Sequence, residues 1–312
     1  MNLINKTGTG PFLLTGLSSD PKVKTILFVL FSFIYTTTLT GNSLLIVLIR
    51  ITRELHTPMY MFICNLSILD VTFTSVTVPK MLVGLLLERC YISYNGCFTQ
   101  IFFFHFLGGS ECLLLSIMGY DRYVAICHPL RYPQIMSRKI CIKLALSCLF
   151  IGSLCSFVHT MLTASLSFCG SREVNHFFCD IPPLLKLSCT DTSINMIVIL
   201  VLGGLAAGAS FILTLISYIY IISAILQIRS SKGRKKAFST CASHLTVVAI
   251  FFGTIIFMYL RPKTSYSFEN DKKFTVFYNV ITPMLNPLIY SLRNKDVKSA
   301  ITQLCKKKTQ HL

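Results

Sequence analysis

The sequence predicts an all-α membrane protein: a seven-transmembrane helix bundle followed by a short amphipathic C-terminal helix. Three observations lead there. Only 13% of the 312 residues are charged and 53% are hydrophobic, whereas a soluble domain carries roughly 25% charged residues. Seven apolar runs recur at the length of a bilayer crossing, about 20 residues. Basic residues gather in alternate connections between those runs, as the positive-inside rule requires of a multi-pass chain.

Residues 1–17 lack a basic segment leading into a long apolar core, so no cleavable signal peptide is expected. Asn5-Lys6-Thr7 matches the N-glycosylation acceptor pattern, which has meaning only at an end that reaches the secretory lumen. The apolar runs cover residues 24–49, 58–82, 97–123, 140–162, 194–227, 237–260 and 272–292. Arg50 and Arg53 follow the first run, and Arg131, Arg138 and Lys139 follow the third. Arg229, Lys232, Arg234, Lys235 and Lys236 follow the fifth; Arg293, Lys295, Lys298 and Lys306 follow the seventh. The opposite connections carry Glu88, Glu173, Asp180, Asp191, Glu269 and Asp271. Arg261, Lys263, Lys272 and Lys273 weaken the asymmetry without reversing it. The expected topology is multi-pass in the plasma membrane, amino terminus extracellular and carboxyl terminus cytoplasmic. The chain then divides into an extracellular segment (1–23), the transmembrane domain (24–292) and a cytoplasmic helix and tail (293–312). In that tail Val297, Ile301 and Leu304 recur at helical spacing opposite lysines, predicting a helix that lies on the inner leaflet. Cys305 has two readings, a palmitoylated anchor or a plain interfacial cysteine.

The formal net charge is +17. Its basic residues are scattered between apolar runs with no aromatic-interleaved basic domain, which excludes nucleic acid as a partner. Of thirteen cysteines, Cys64, Cys112, Cys127, Cys141, Cys148, Cys155 and Cys241 lie in or beside apolar runs, where Cys packs as a small hydrophobe. Cys97, Cys169, Cys179 and Cys189 fall in segments placed outside the cell, where disulfides persist, and spacing leaves all three pairings open. Cys90 is an extra one, read as a free thiol near a helix end.

The third run is more than filling. It contains His105, Glu111 and Cys112, and ionisable groups at membrane depth face a bundle interior or a cavity. Glu111 and Asp70 of the second run lie at matching depth. Two such carboxylates do not both stay charged and unpaired: a cation sits between them or one holds a proton. His105, Gly109, Cys112 and Ser116 recur at i, i+4, i+7 and i+11, one helical face. Gly108 and Gly109 remove side-chain bulk below His105, leaving either room for a ligand or close helix packing. Asp121-Arg122-Tyr123 closes the run, so Arg122 follows a carboxylate at the membrane edge, where a snorkelling arginine is the plain alternative.

The run MGYDRYVAICHPLRY (residues 118–132) resembles the signature of vertebrate olfactory (odorant) receptors, a branch of the rhodopsin-like G-protein-coupled receptor family. KAFSTCASHL (236–245), the Ser217-Tyr218 pair and Asn286-Pro287-Leu288-Ile289-Tyr290 extend the resemblance over nearly the whole chain. It implies a G-protein switch at Asp121, Arg122 and Tyr123, with Tyr218 and Tyr290 on the partner helices. It implies a sodium site at Asp70, with Glu111 and Asn286 nearby. It implies that Phe104, His105 and Gly109 lie at odorant depth with Tyr259, and that Cys97 pairs with Cys179 and Cys169 with Cys189. His176-Phe-Phe-Cys179-Asp180 is then no metal site, because a cysteine in a disulfide has no thiolate to offer. Phe104 stands where amine receptors keep an aspartate, which argues against a cationic neurotransmitter. The chain departs from the wider rhodopsin-like pattern in having no tryptophan. FFGTIIF (251–257) also lacks the expected proline, and Phe252 stands where olfactory receptors usually show Tyr.

The expected function is therefore a receptor for a small volatile odorant that activates a heterotrimeric G protein of the stimulatory olfactory type and raises cAMP, embedded in membrane lipid. A small apolar pocket (Phe104, His105, Gly108, Gly109, Cys112, Tyr259) suits a ligand that gains affinity mainly by desolvation. The same scaffold sensing a metabolite outside the nose is the alternative. A transporter or channel is disfavoured because no repeated halves with interrupted helices appear. An enzyme is disfavoured because the chain has no HExxH, nucleophile elbow or phosphate-binding glycine loop.

Overall fold

The computed structural model describes residues 10–259, 268–292 and 297–302. Seven helices form the bundle: α1 (Pro21–Ile51), α2 (Pro58–Leu86), α3 (Tyr94–Cys127), α4 (Arg138–Ala164), α5 (Ser193–Leu226), α6 (Ser231–Tyr259) and α7. The last is built in three parts, Phe268–Val276, the π turn Phe277–Ile281 and Thr282–Leu292. The first five are each long and apolar enough to cross a bilayer, and α6 qualifies as a span bent by 44° between Ser231–Ser239 and Cys241–Ile256. Its bend lies near its first turns, away from the FFGTIIF stretch. Among the described residues α7 falls short of the same test; Asn279, Pro283, Asn286 and Pro287 make its span less apolar than the others.

Most helices outrun their apolar stretches, and the reason is local. α1 begins at Pro21 rather than Lys24 because the Asp20 carboxylate accepts from the amides of Lys22 (2.8 Å) and Val23 (3.4 Å), with Pro21 in the first helical position. α3 begins at Tyr94 because Ser93 caps the Gly96 amide at 3.1 Å, which places Cys97 inside the first turn. Polar caps carry no hydropathy signal, so the apolar runs end short of them.

α3 runs through the middle. Its seam with α4 is made of small residues: a carbon added at Gly152 would meet the Phe106 carbonyl at 2.9 Å, and Ser156 Oγ donates to the Phe102 carbonyl at 2.6 Å. α1 is tied to α7 by Asn42 Nδ2, which donates to the Pro283 carbonyl at 3.1 Å. Pro283 cannot donate to the helix, and the π turn ends two residues before it, so the helix departs from regular α geometry here.

The helical bundle carries one small addition that the apolar runs do not announce. Three short strands form a sheet at the end of the bundle carrying the disulfides. β1 (Phe12–Leu14) is central, antiparallel to β2 (Cys90–Ile92) and parallel to β3 (Glu173–Val174). Cys90 is free and buried, in a strand rather than at a helix end. At the other end residues 297–302 are helical, with Val297 and Ala300 buried against the core and Ile301 exposed. Leu304, Cys305 and Asn5 lie outside the described residues.

Candidate functional site

Three layers of polar and aromatic side chains lie along α3. At the disulfide end, Cys97 is bonded to Cys179 (Cα–Cα 5.3 Å) and Cys169 to Cys189 (5.8 Å). The Cys179 amide donates to Gln100 Oε1 at 2.9 Å, and Gln100 Nε2 donates to the Val76 carbonyl at 2.8 Å. These bonds seat the loop between α4 and α5 on the bundle. Its Phe178, fully buried, meets the ring of Phe104 at 4.8 Å. Phe104 stacks on Phe73 at 5.1 Å, Phe73 meets Tyr278 at 5.5 Å, and Tyr278 meets Phe251 at 5.6 Å. An aromatic column thus runs from the loop into the helices, at spacings where ring pairs attract.

His105 Nε2 lies 3.3 Å from Asp180 Oδ1, an ion pair whenever the imidazole is protonated, and Oδ1 also accepts from the Ile181 amide at 2.8 Å. Burial alone would push the Asp180 carboxyl up; the His105 imidazole, nearby His176 and the Ile181 amide outweigh it and hold it below the usual carboxylate range. His176, stacked on Phe177 at 4.5 Å, is pushed down to about 4, chiefly by burial.

The glycines are filled. A carbon added at Gly108 would meet the Tyr278 hydroxyl at 2.8 Å, and one at Gly109 would face Gly152 of α4 at 3.9 Å. Both glycines thus lie against a neighbouring side chain or helix. The His105–Gly109–Cys112–Ser116 face straddles the seam where α3 meets α4 and α5: Gly109 turns to α4 while Cys112 approaches Ser210 of α5. Tyr259 ends α6, and its side chain lies outside the described residues.

In the middle layer Asn286 Nδ2 donates to both oxygens of the buried Asp70 carboxylate, at 3.1 and 3.0 Å. Glu111 is buried and close enough to Asp70 for their charges to interact, and its Oε1 has no hydrogen-bond partner among the described residues. That orphaned oxygen beside a second carboxylate is what a small hard cation or a shared proton would satisfy.

At the far end Arg122 donates from Nε (3.0 Å) and Nη2 (2.5 Å) to Asp121 Oδ2. Tyr132, on a one-turn helix (Tyr132–Ile135), donates to Asp121 Oδ1 at 2.8 Å. Burial first and the Asp121 charge second push the Tyr132 hydroxyl up, so it stays a donor. Tyr218 of α5 donates to His244 Nδ1 at 2.8 Å, and His244 Nε2 donates to the Leu115 carbonyl of α3 at 3.2 Å. One buried imidazole therefore ties α3, α5 and α6 together. Tyr290 of α7 is buried with its hydroxyl unpartnered among the described residues, while Tyr123 turns away to His128 (3.0 Å). In the sequence His244 and Tyr132 lie within residues 236–245 and 118–132, where only an isolated His beside an apolar stretch hints at a role.

The fold is that of a rhodopsin: squid rhodopsin superposes with a TM-score of 0.75 at 17% identity, over 91% of this chain and 81% of that one. The olfactory receptor family profile matches residues 31–308. The chain is 54% identical to mouse olfactory receptor 5AP2, over 96% of this chain and 95% of that protein. It is 49% identical to mouse olfactory receptor 5AR1 (99% and 100% covered) and 50% identical to human olfactory receptor 8H1 (97% of each). With a family profile spanning nearly the whole chain and relatives matched end to end, this chain belongs to the olfactory receptor family of G-protein-coupled receptors.

Proposed function

We propose that the chain is activated by a small volatile odorant bound at the disulfide-end half of the bundle, beside Phe104, His105 and Cys112 and near Tyr259, and that it couples to a stimulatory olfactory-type G protein to raise cAMP. In this reading the disulfide end faces outward and the Arg122 end faces the cytoplasm. One observation carries it. The aromatic column under the loop and the Asp121–Arg122 pair are two ends of one unbroken helix, α3. An odorant that fits the column better in one helix arrangement than another shifts the population toward it. The switch partners are Asp121, Arg122, Tyr123, Tyr218 and Tyr290, with Tyr132 and His244 added by their bonds.

A chemically diverse odorant panel with a cAMP readout tests this. A responding odorant is expected to lose its signal in Arg122→Ala at unchanged surface level; a signal that survives refutes the switch. Epitope tags on the two termini test the orientation, and the same side for both refutes it. Asp70, Glu111 and Asn286 have the oxygen donors to hold a sodium ion, which would supply charge neutralisation between the carboxylates. Exchanging sodium for choline is expected to lower the unfolding temperature of the parent, and much less that of Asp70→Asn.

A further inference from the structure

The surface between α5 and α6 at the Arg122 end holds a groove of about 340 Å³ that the proposed switch leaves unused. Its walls are apolar: Ile221, Ile222 and Ile225 from α5, Phe238 and Leu245 from α6. Ile222, Phe238 and Leu245 are 41%, 43% and 42% exposed. Tyr218 also lines it, but its hydroxyl is committed to His244. The one charged lining residue is Lys235. Arg229, Lys232 and Arg234 are exposed on the same short stretch, with no acidic residue between 229 and 236. Among the described residues none of these four cations makes an ion pair.

We propose that the groove binds an acyl chain of an anionic phospholipid, with the lipid phosphate against Lys235. The chemistry selects this occupant. An extended peptide would lay unsatisfied backbone amides on isoleucine walls, a free phosphate would leave the walls uncovered, and an uncharged lipid would leave Lys235 without a counter-ion. Basic residues at a membrane edge attract anionic headgroups, and their stems lie along apolar surface. The groove's two walls are the helices joined by the Tyr218–His244 bond, so a chain wedged there favours the joined arrangement. The assignment rests on the reading that this end meets the inner leaflet, where anionic lipids concentrate.

The full chain in nanodiscs is exposed to phosphatidylserine bearing a photoreactive acyl chain, and separately to phosphatidylcholine bearing the same group. Labelling of residues 218–245 is expected to be about fivefold stronger with phosphatidylserine. Lys235→Glu is expected to abolish that preference while keeping labelling by phosphatidylcholine. Leu245→Trp, which fills the exposed rim, is expected to reduce labelling by both lipids. Equal labelling by the two lipids in the parent chain overturns the proposal, as does parent-level labelling of Leu245→Trp. Both nanodisc faces present the same lipid, so the outcome is independent of orientation and of any odorant response. Failure here leaves the receptor reading intact, and failure of that reading leaves the labelling result standing.

Discussion

His176 is a buried imidazole wedged between Phe177 and Phe178, and its environment makes a pH prediction. Its folded value is about 4, against about 6.5 for a free imidazole. Between those limits the unfolded loop binds a proton that the folded loop refuses, so folded stability rises with pH across the window and is lost as pH falls from 6.5 toward 4. Asp180 adds in the same direction at lower pH, since its depressed value gives stability above the ordinary carboxylate range that disappears below it. Hydrogen exchange of residues 169–189 reads this directly. Amide protection is expected to fall between pH 6.5 and 4, and His176→Gln is expected to flatten the fall. At the Arg122 end, Tyr132→Phe removes one of the donors to Asp121. With the proposed coupling, basal cAMP is expected to rise about tenfold, since a hydrogen bond to a charged group is worth about 1.5–3 kcal/mol. Such contacts were half legible. Asp121 and Arg122 announce themselves as charges beside an apolar run, but Tyr132 and His244 acquire their partners only when separate helices meet.

Among the elements, the α3–α4 seam makes the sharpest prediction. Gly152→Val must push against the Phe106 carbonyl, which lies 2.9 Å from where its first carbon would stand. Overpacking of this kind costs about 1–3 kcal/mol, and the unfolding temperature in detergent is expected to drop. Gly208→Ala, where nothing lies within 4 Å, is expected to be neutral or slightly stabilising. Both glycines look alike in sequence, because each sits in an apolar run, and only the neighbouring helix tells them apart. The number of helices was legible from hydropathy for the same reason that their ends were not: apolar length is a bulk signal, whereas Asp20 and Ser93 set the starts through single hydrogen bonds. Three-residue strands are shorter than any alternation pattern can reveal.

For the molecule as a whole, the disulfides and the small sheet hold the same end together. Cys179→Ser removes the bond that closes 82 positions to Cys97, a loss of about 2–5 kcal/mol by comparison with other native disulfides. Delivery to the cell surface is expected to collapse. Cys90→Ser, at a buried but unpaired thiol, is expected to leave most of it. The pairing itself came from resemblance, because four cysteines alone permit three arrangements. The sheet has a temporal side as well. β1 emerges first from the ribosome yet lies between two partners, the farther of them reached by Thr15 through Asn175, 160 positions on. The earliest-made of these strands can therefore meet β2 once two helices are synthesised, but β3 only after four. A chain interrupted before residue 173 would leave one edge of β1 open, however well its first helices had packed.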